Sequence, residues 1–332
     1  SMFASASNFD KPLNHWNTSS VTNMTSVFYG SKFSQDISVW NTSSVTTMSN
    51  MFINSTVFNG VIKTQEVTVG NNTYIAWDVS NIESMTSMFR NSVFTGDISN
   101  WDVGNVNDMS YMFQDSNFYG NISSWNVSNV RTMQNMFRNA AAFNQDISSW
   151  NMFGVTNMSS MFFQNTTFTG DISNWDVSNV NDMSYMFQNS GYNGDISNWD
   201  VSNVTNMENM FASASAFDQN IRVWSSPDGT IYTNMFNGAT AMISTYTGTP
   251  GFGPPTTNDF FNYVPPPPIC FPKDTPVTTD QGNIAIQKLN CDKHTIRGKR
   301  IVGITQTRPL QEHIVCIDKN ALGKNVPSQT TQ

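Results

Sequence analysis

A single spacing constrains this chain more than anything else in it. Its nine tryptophans are Trp16, Trp40, Trp77, Trp101, Trp125, Trp150, Trp175, Trp199 and Trp224. Eleven residues after each comes the first residue of an apolar pair. The pairs are Val27-Phe28, Met51-Phe52, Met88-Phe89, Met112-Phe113, Met136-Phe137, Met161-Phe162, Met186-Phe187, Met210-Phe211 and Met235-Phe236. From each Phe to the next Trp is 12 or 13 residues in every unit but one. A fixed period of 24 to 25 residues marks a stacked repeat array.

Each unit carries two apolar rhythms. In the stretch Asp97 to Gly120, Ile98, Trp101 and Val103 come first, and Trp and Val share a face at the period of a strand. Val106, Met109, Met112 and Phe113 follow at i, i+3, i+6 and i+7, the spacing of one face of a short helix. Residues just before that group (Gly104-Asn105, Ser128-Asn129, Ser202-Asn203) suit the cap of a first helical turn. About eight apolar side chains per unit, at roughly 1.5–3 kcal/mol each, do not offset about 1.5 kcal/mol per ordered residue. One unit alone is unstable, and stacking closes a continuous core from Trp, Met and Phe columns. The expectation is an α/β repeat solenoid of nine to ten coils of 24–25 residues, each a short parallel strand plus a short helix. At about 4.8 Å per coil such a stack is about 45–50 Å long.

The pattern I-x-x-W-x-V followed by V-x-x-M-x-x-M-F resembles the leucine-rich repeat, with Leu replaced by Ile, Trp, Val and Met. Only Leu13 of the four leucines lies in the array. The closer likeness is to the BspA-like leucine-rich surface repeats, whose phrase GDISNWDVSNVTNMSYMF stands almost verbatim at 170–187 and 194–211. The resemblance runs from residue 1 to about 238. It implies a surface-exposed protein that binds host or environmental ligands, without catalysis.

The expected organisation is a repeat solenoid over 1–247, a Pro-rich linker over 248–269 and a small β-rich tail over 270–332. Between Phe52 and Trp77 the variable half swells to hold NGVIKTQEVTVGNNTYIA, which reads as a β-hairpin insertion at about 59–76. Insertions in repeat arrays tend to map to one face, often the binding face. After Trp224, Pro227-Asp228-Gly229 forms a tight turn, and 224–247 reads as a cap that closes the open core. Four consecutive prolines stiffen the linker. The opening SMFASASNFD copies NMFASASAFD at 209–218, so the sequence starts within a repeat and is expected to be a fragment.

Charged residues are only 12% of the chain, and Asn, Ser and Thr are expected on the outside instead. Residues 1–263 hold 7 Lys and Arg against 19 Asp and Glu, a balance of −12; the remainder holds 9 against 5. An acidic array is a poor partner for nucleic acid, which needs clustered basic residues. The sequence has no run of 18 apolar residues to span a membrane. Asp stands four before and one after Trp in three units: Asp97/Asp102, Asp171/Asp176 and Asp195/Asp200. These columns either cap local turns, the favoured reading, or line up oxygens for a hard cation. No cofactor is expected. Sequons such as Asn17, Asn41, Asn126 and Asn203 permit glycosylation, and an Asn/Ser/Thr-rich chain also generates them by chance.

All three cysteines, Cys270, Cys291 and Cys316, lie in the tail. CFPKDTPVTTDQGNIAIQKLN resembles the opening block of Hint (Hedgehog/intein) domains through Cys270, Thr275, Val277, Thr279, Gly282, Ile284, Ile286 and Leu289. That resemblance implies a latent catalytic role for Cys270 as nucleophile on the Ile269–Cys270 bond, with a His to protonate the leaving nitrogen. Neither His294 nor His313 has Thr three residues before it, and the closing His-Asn pair is absent, so the incomplete segment is expected to be inactive.

The leading expectation is a non-enzymatic surface repeat protein that offers an extended binding face for adhesion or host interaction. Its partner would be a protein or glycan on a host or environmental surface, and its place the cell surface, extracellular space or virion surface. Autoprocessing at Cys270 is the alternative.

Overall fold

The computed structural model describes residues 1–261 and, beyond them, 269–272, 276–285, 295–296, 299–300, 305–307 and 314–317. The chain divides into two compact units, Ser1–Tyr263 and Val264–Gln332.

In the first unit the repeats stack coil on coil. Single-residue parallel bridges run Asn23–Thr47–Ser84–Asp108–Thr132–Asn157–Asp182–Asn206–Ile231, one residue per coil. From each bridge a ladder of hydrogen bonds continues along the coil. Met109, Tyr111, Phe113 and Asp115 donate their N–H groups to the carbonyls of Thr132, Gln134, Met136 and Arg138 in the next coil, at 2.8–3.1 Å. The intervening N–H groups of Met112, Gln114 and Ser116 close turns onto the carbonyls three residues back. This alternation cannot be a helix, in which successive N–H groups bond within their own segment four residues back.

The backbone shows why. Each coil places two residues in the left-handed region, four apart: Tyr111 (φ 62°) and Asp115 (φ 55°), Asn135 (58°) and Asn139 (52°), Tyr185 (61°) and Asn189 (55°). Left-handed residues break a right-handed helix, and Gly, Asn and Asp tolerate that region best. Overlapping turns with left-handed corners leave Met109, Met112 and Phe113 buried together, which is how a three-residue spacing imitates a helical face.

The expected α/β solenoid of strand-plus-helix coils is therefore incorrect. Among the described residues the α-helix is α1, Thr240–Tyr246, and it lies outside the repeats. The expected helix caps hold neighbouring coils together instead: Asn105, Asn129 and Asn203 donate side-chain N–H groups to the carbonyls of Ser80, Gly104 and Ser178, at 2.6–2.7 Å. The I-x-x-W stretch is a turn and not a strand, closed by Trp101 N–H on the Ile98 carbonyl at 3.2 Å.

The core is built in columns. Phe28, Phe52, Phe89, Phe113, Phe137, Phe162, Phe187, Phe211 and Phe236 stack with ring centroids 5.6–5.9 Å apart. A second column passes through Phe94, Phe118, Phe143, Phe168 and Tyr192. The tryptophans form a third, with 6.5 Å between Trp101 and Trp125. Each buried ring contributes about 1.5–3 kcal/mol of burial free energy, and each column spans every interface between coils it crosses.

The insertion after the second coil is a hairpin of β1, Gln65–Val69, and β2, Asn72–Ala76, paired from Gln65↔Ala76 to Val69↔Asn72. At the far end α1 buries Met242. Residues 248–261 fold over the last coil, with Phe252 and Phe260 against Phe236 and Phe261 against Trp224.

In the second unit β3 (Ile269–Pro272), β9 (Ile314–Ile317) and β8 (Thr305–Thr307) form one sheet in that order. Hairpins pair β4 (Pro276–Thr279) with β5 (Gly282–Ala285), and β6 (Thr295–Ile296) with β7 (Lys299–Arg300).

Candidate functional site

The residues expected to form the repeat core lie there, with one exception. Trp40, Trp77, Trp101, Trp125, Trp150, Trp175, Trp199 and Trp224 are buried, as are Met112, Phe113, Met186, Phe187, Met210 and Phe211. Each of those eight indoles donates Nε1–H to a carbonyl of the coil before it, at 2.9–3.2 Å. Trp16 is 37% exposed, with its ring against Phe3. Cys270 lies in β3 with Cys316 of β9 as its register partner. Cys291, His294 and His313 fall outside the described residues, as do Thr275, Ile286 and Leu289 of the expected Hint block.

The Asp columns are local caps. Asp97, Asp102, Asp171, Asp176, Asp195 and Asp200 each accept the backbone N–H two residues on, at 2.9–3.1 Å. Ser99 holds the Asp97 carboxyl below the usual carboxylate range through its hydroxyl and its backbone N–H. Among the described residues no group of His, Cys, Asp and Glu is placed to hold a metal ion.

The arrangement that stands out lies on the turn ladder. Two columns run along it: the left-handed residue between each bridge and its Met-Phe pair, and the residue that follows the pair; Ser87, Gln114, Asn135 and Ser160 in them are buried, while Arg90, Tyr111, Arg138, Phe163 and Tyr185 are half-buried. In the first column seven coils place Ser26, Asn50, Ser87, Asn135, Ser160, Asn209 and Asn234, while two place Tyr111 and Tyr185. A bulky aromatic in this region costs about 1–2 kcal/mol that Asn largely avoids. The second column holds Arg90, Gln114, Arg138, Phe163 and Gln188 across the central coils.

Together these columns give one arginine or aromatic ring per coil over five consecutive coils: Arg90, Tyr111, Arg138, Phe163, Tyr185. The Arg138 guanidinium lies 4.1 Å from the Phe163 ring centre, and that of Arg90 lies 5.7 Å from Tyr111. Both are cation–π distances that restrain long side chains. Two shallow depressions each reach the fifth coil. One, of about 550 Å³, includes Gln134, Arg138, Phe163, Tyr185 and Gln188. The other, of about 620 Å³, includes Tyr29, Arg90, Asp115 and Asn139. Burial raises the Tyr185 hydroxyl above its ordinary pKa, and Glu208 beside it acts in the same direction.

Sequence reading missed these five residues because it placed a short helix here, on which they do not form a row. The usable signal was compositional: aromatic residues in a column otherwise made of Asn and Ser.

A third concavity, about 350 Å³, lies between the hairpin and the first two coils and includes His15, Trp16, Asn17, Asn41, Asn72 and Tyr74. The Tyr74 hydroxyl donates to the Val39 carbonyl and ties the hairpin to the array. A fourth, of about 430 Å³, sits in the cap among Phe236, Ile243, Phe252 and Pro254.

Among the described residues no helix is long and apolar enough to cross a membrane. No curated protein and no solved structure matches the chain. The repeats are matched three times in tandem by one family, over residues 1–74, 65–163 and 146–248. The chain is a tandem-repeat protein and belongs to the family described as Mycoplasma protein of unknown function, DUF285.

Proposed function

We propose that this is a non-enzymatic surface repeat protein whose turn-ladder face binds an extended ligand, a protein or glycan of a host or environmental surface. The observation that supports this most is the pair Tyr111 and Tyr185, held left-handed where the other coils use Asn or Ser. Strained backbone kept at two positions of a repeat, beside the central arginines and Phe163, supports a functional role for those positions. Repeat stacks bind through long surfaces and not through one pocket, and the two shallow depressions suit that mode. The reading places the protein at the cell surface, the extracellular space or a virion surface.

The test is a binding screen of the whole chain against matrix proteins and glycans, with an unrelated repeat protein as reference. Hydroxyl-radical footprinting of whichever ligand binds should protect Tyr111, Phe163 and Tyr185. Binding no better than the reference, or protection confined to other residues, would count against the reading.

A further inference from the structure

We infer that the concavity under the hairpin is a second binding site, one that takes a neutral saccharide of one or two rings. It shares no residue with the two depressions of the turn-ladder face and does not rest on the reading of that face.

The first consideration is how the concavity arises. The interval from Phe52 to Trp77 is 25 residues where the other units use 12 or 13, and the added length forms the hairpin of β1 and β2. Val69, Thr73 and Tyr74 of that hairpin supply one wall. The tryptophan turns of the first two coils, with Trp16, Asn17 and Asn41, supply the other. Insertions in repeat arrays often mark the binding face. The hairpin wall is held in place: the Tyr74 hydroxyl donates to the Val39 carbonyl, and the Thr68 and Thr73 hydroxyls pair across the strands at 2.9 Å. A wall already ordered loses little freedom when a ligand arrives.

The second consideration is charge. No Asp, Glu, Lys or Arg lines the concavity, although residues 1–263 hold 19 Asp and Glu. A charged ligand would leave water there without a counter-charge, whereas a neutral one has no such loss.

The third consideration is what does line it. Asn14, Asn17, Asn41 and Asn72 bring four carboxamides, groups that both donate and accept, as sugar hydroxyls do. Asn17 Oδ1 accepts from the backbone N–H and hydroxyl of Ser19 at 3.1 and 2.7 Å, and Asn41 Oδ1 accepts from Ser43 at the same distances. Each amide is thereby fixed through its oxygen, and its Nδ2–H groups remain free to donate. The two amides stand one coil apart, about 4.8 Å, close to the separation of alternate hydroxyls on one pyranose ring. Trp16, 37% exposed, and Tyr74 add aromatic rings of the kind that cover the apolar face of a sugar. The volume, about 350 Å³, lies at the small end for ligand pockets and suits one or two rings.

The test titrates the whole chain with glucose, galactose, mannose, N-acetylglucosamine, cellobiose and glucuronate, following the Trp16 indole N–H signal by NMR. Wild type is compared with the double variant Asn17→Asp/Asn41→Asp. Aspartate already stands in this column at Asp78, Asp102, Asp176 and Asp200, where it accepts the same backbone N–H, so the exchange keeps the turns and removes only the amide donors. An unchanged circular dichroism spectrum checks the fold. Asn126→Asp, the same exchange in the fifth coil, is the control. The expected result is saturable binding of at least one neutral sugar, weaker binding of glucuronate than of glucose, at least a tenfold loss in the double variant and no loss in the control. Absence of saturable binding by every neutral sugar, glucuronate binding as tightly as the neutral sugars, an unaffected double variant, or an equal loss in the control would each overturn the inference.

Discussion

Trp125 donates its indole Nε1–H to the carbonyl of Ile98, one coil back, at 3.1 Å. The donor and acceptor are both buried, and the same bond recurs from Trp40 to Trp224. The tryptophan column is therefore a column of hydrogen bonds as well as of stacked rings. It supplies a second donor, from the next coil, to a carbonyl that already closes its own turn with Trp101 N–H.

Trp125→Phe keeps an aromatic ring in the column but removes the bond to the preceding coil, leaving the Ile98 carbonyl only its turn bond from Trp101 N–H. The expected loss is about 0.5–1.5 kcal/mol of stability for one buried hydrogen bond. Trp125→Ala adds a cavity and should cost about 3–5 kcal/mol. Chemical denaturation of both variants checks the order. Equal losses in the two would mean that ring volume, and not the hydrogen bond, determines the choice of Trp.

Tyr192 takes the place of phenylalanine in the second aromatic column. Its buried hydroxyl lies beside the Ile172 carbonyl, which already accepts from Trp175 N–H at 3.2 Å and Trp199 Nε1 at 3.0 Å, and it finds no partner of normal geometry. Burial pushes the Tyr192 pKa up, with the carboxylates of Asp171 and Asp195 adding to the shift. Tyr192→Phe removes an unsatisfied polar atom while keeping the ring. It should raise stability by about 1 kcal/mol, read as a higher unfolding midpoint.

The repeat architecture was legible in the sequence because Trp and Met-Phe recur at a fixed interval, and stacking is the way such units bury them. The local structure was not. Val106, Met109, Met112 and Phe113 carry the periodicity of a helix, yet overlapping turns with left-handed corners at Tyr111 and Asp115 give the same inward set. Hydrophobic spacing reports which residues share a side, not which backbone path brings them there. The hint lay in the corners themselves, Asn or Ser at most of them. The same misreading hid the candidate site, since Arg90, Tyr111, Arg138, Phe163 and Tyr185 form a row only when coils stack as ladders.

The aspartate caps predict a dependence on acid. Asp195 accepts from the backbone N–H and hydroxyl of Ser197, and Asp200 from the hydroxyl and N–H of Ser202; these bonds hold both carboxyls below the ordinary value of 3.8. A folded pKa below the unfolded one favours the folded state above the ordinary carboxylate range. That advantage disappears as the pH falls through the lowered folded value. The protein should therefore lose stability progressively below about pH 4. Asp195→Asn keeps the oxygen acceptor, as Asn121 does for Ser123 at 2.9 Å, and should flatten the dependence with little change at neutral pH. Unfolding midpoints across pH 2 to 7 for wild type and variant check the sign.

The hairpin gives a separate prediction. Tyr74 anchors it to the array through the Val39 carbonyl, and Thr64 Oγ1 donates to the Trp77 carbonyl at 2.7 Å. Tyr74→Phe removes the first tie and leaves the core columns intact. Hydrogen exchange should accelerate across 65–76 and stay unchanged in the repeats. Faster exchange throughout the array would mean that the hairpin supports the stack as a whole.

The central claim is that the left-handed tyrosines of the ladder are retained for binding at a cost to stability. It is tested most directly by measuring both quantities on one variant, Tyr111→Asn/Tyr185→Asn. Asparagine is native to the same corner at Asn50, Asn135, Asn209 and Asn234. Relief of about 1–2 kcal/mol of backbone strain per site, partly offset by lost ring packing, predicts an unfolding midpoint equal to or above wild type. Affinity for the ligand that footprints on this face should fall at least tenfold in the same protein. A variant that unfolds earlier yet binds as well as wild type would show that the two tyrosines stabilise the stack and that the ladder is not the recognition surface.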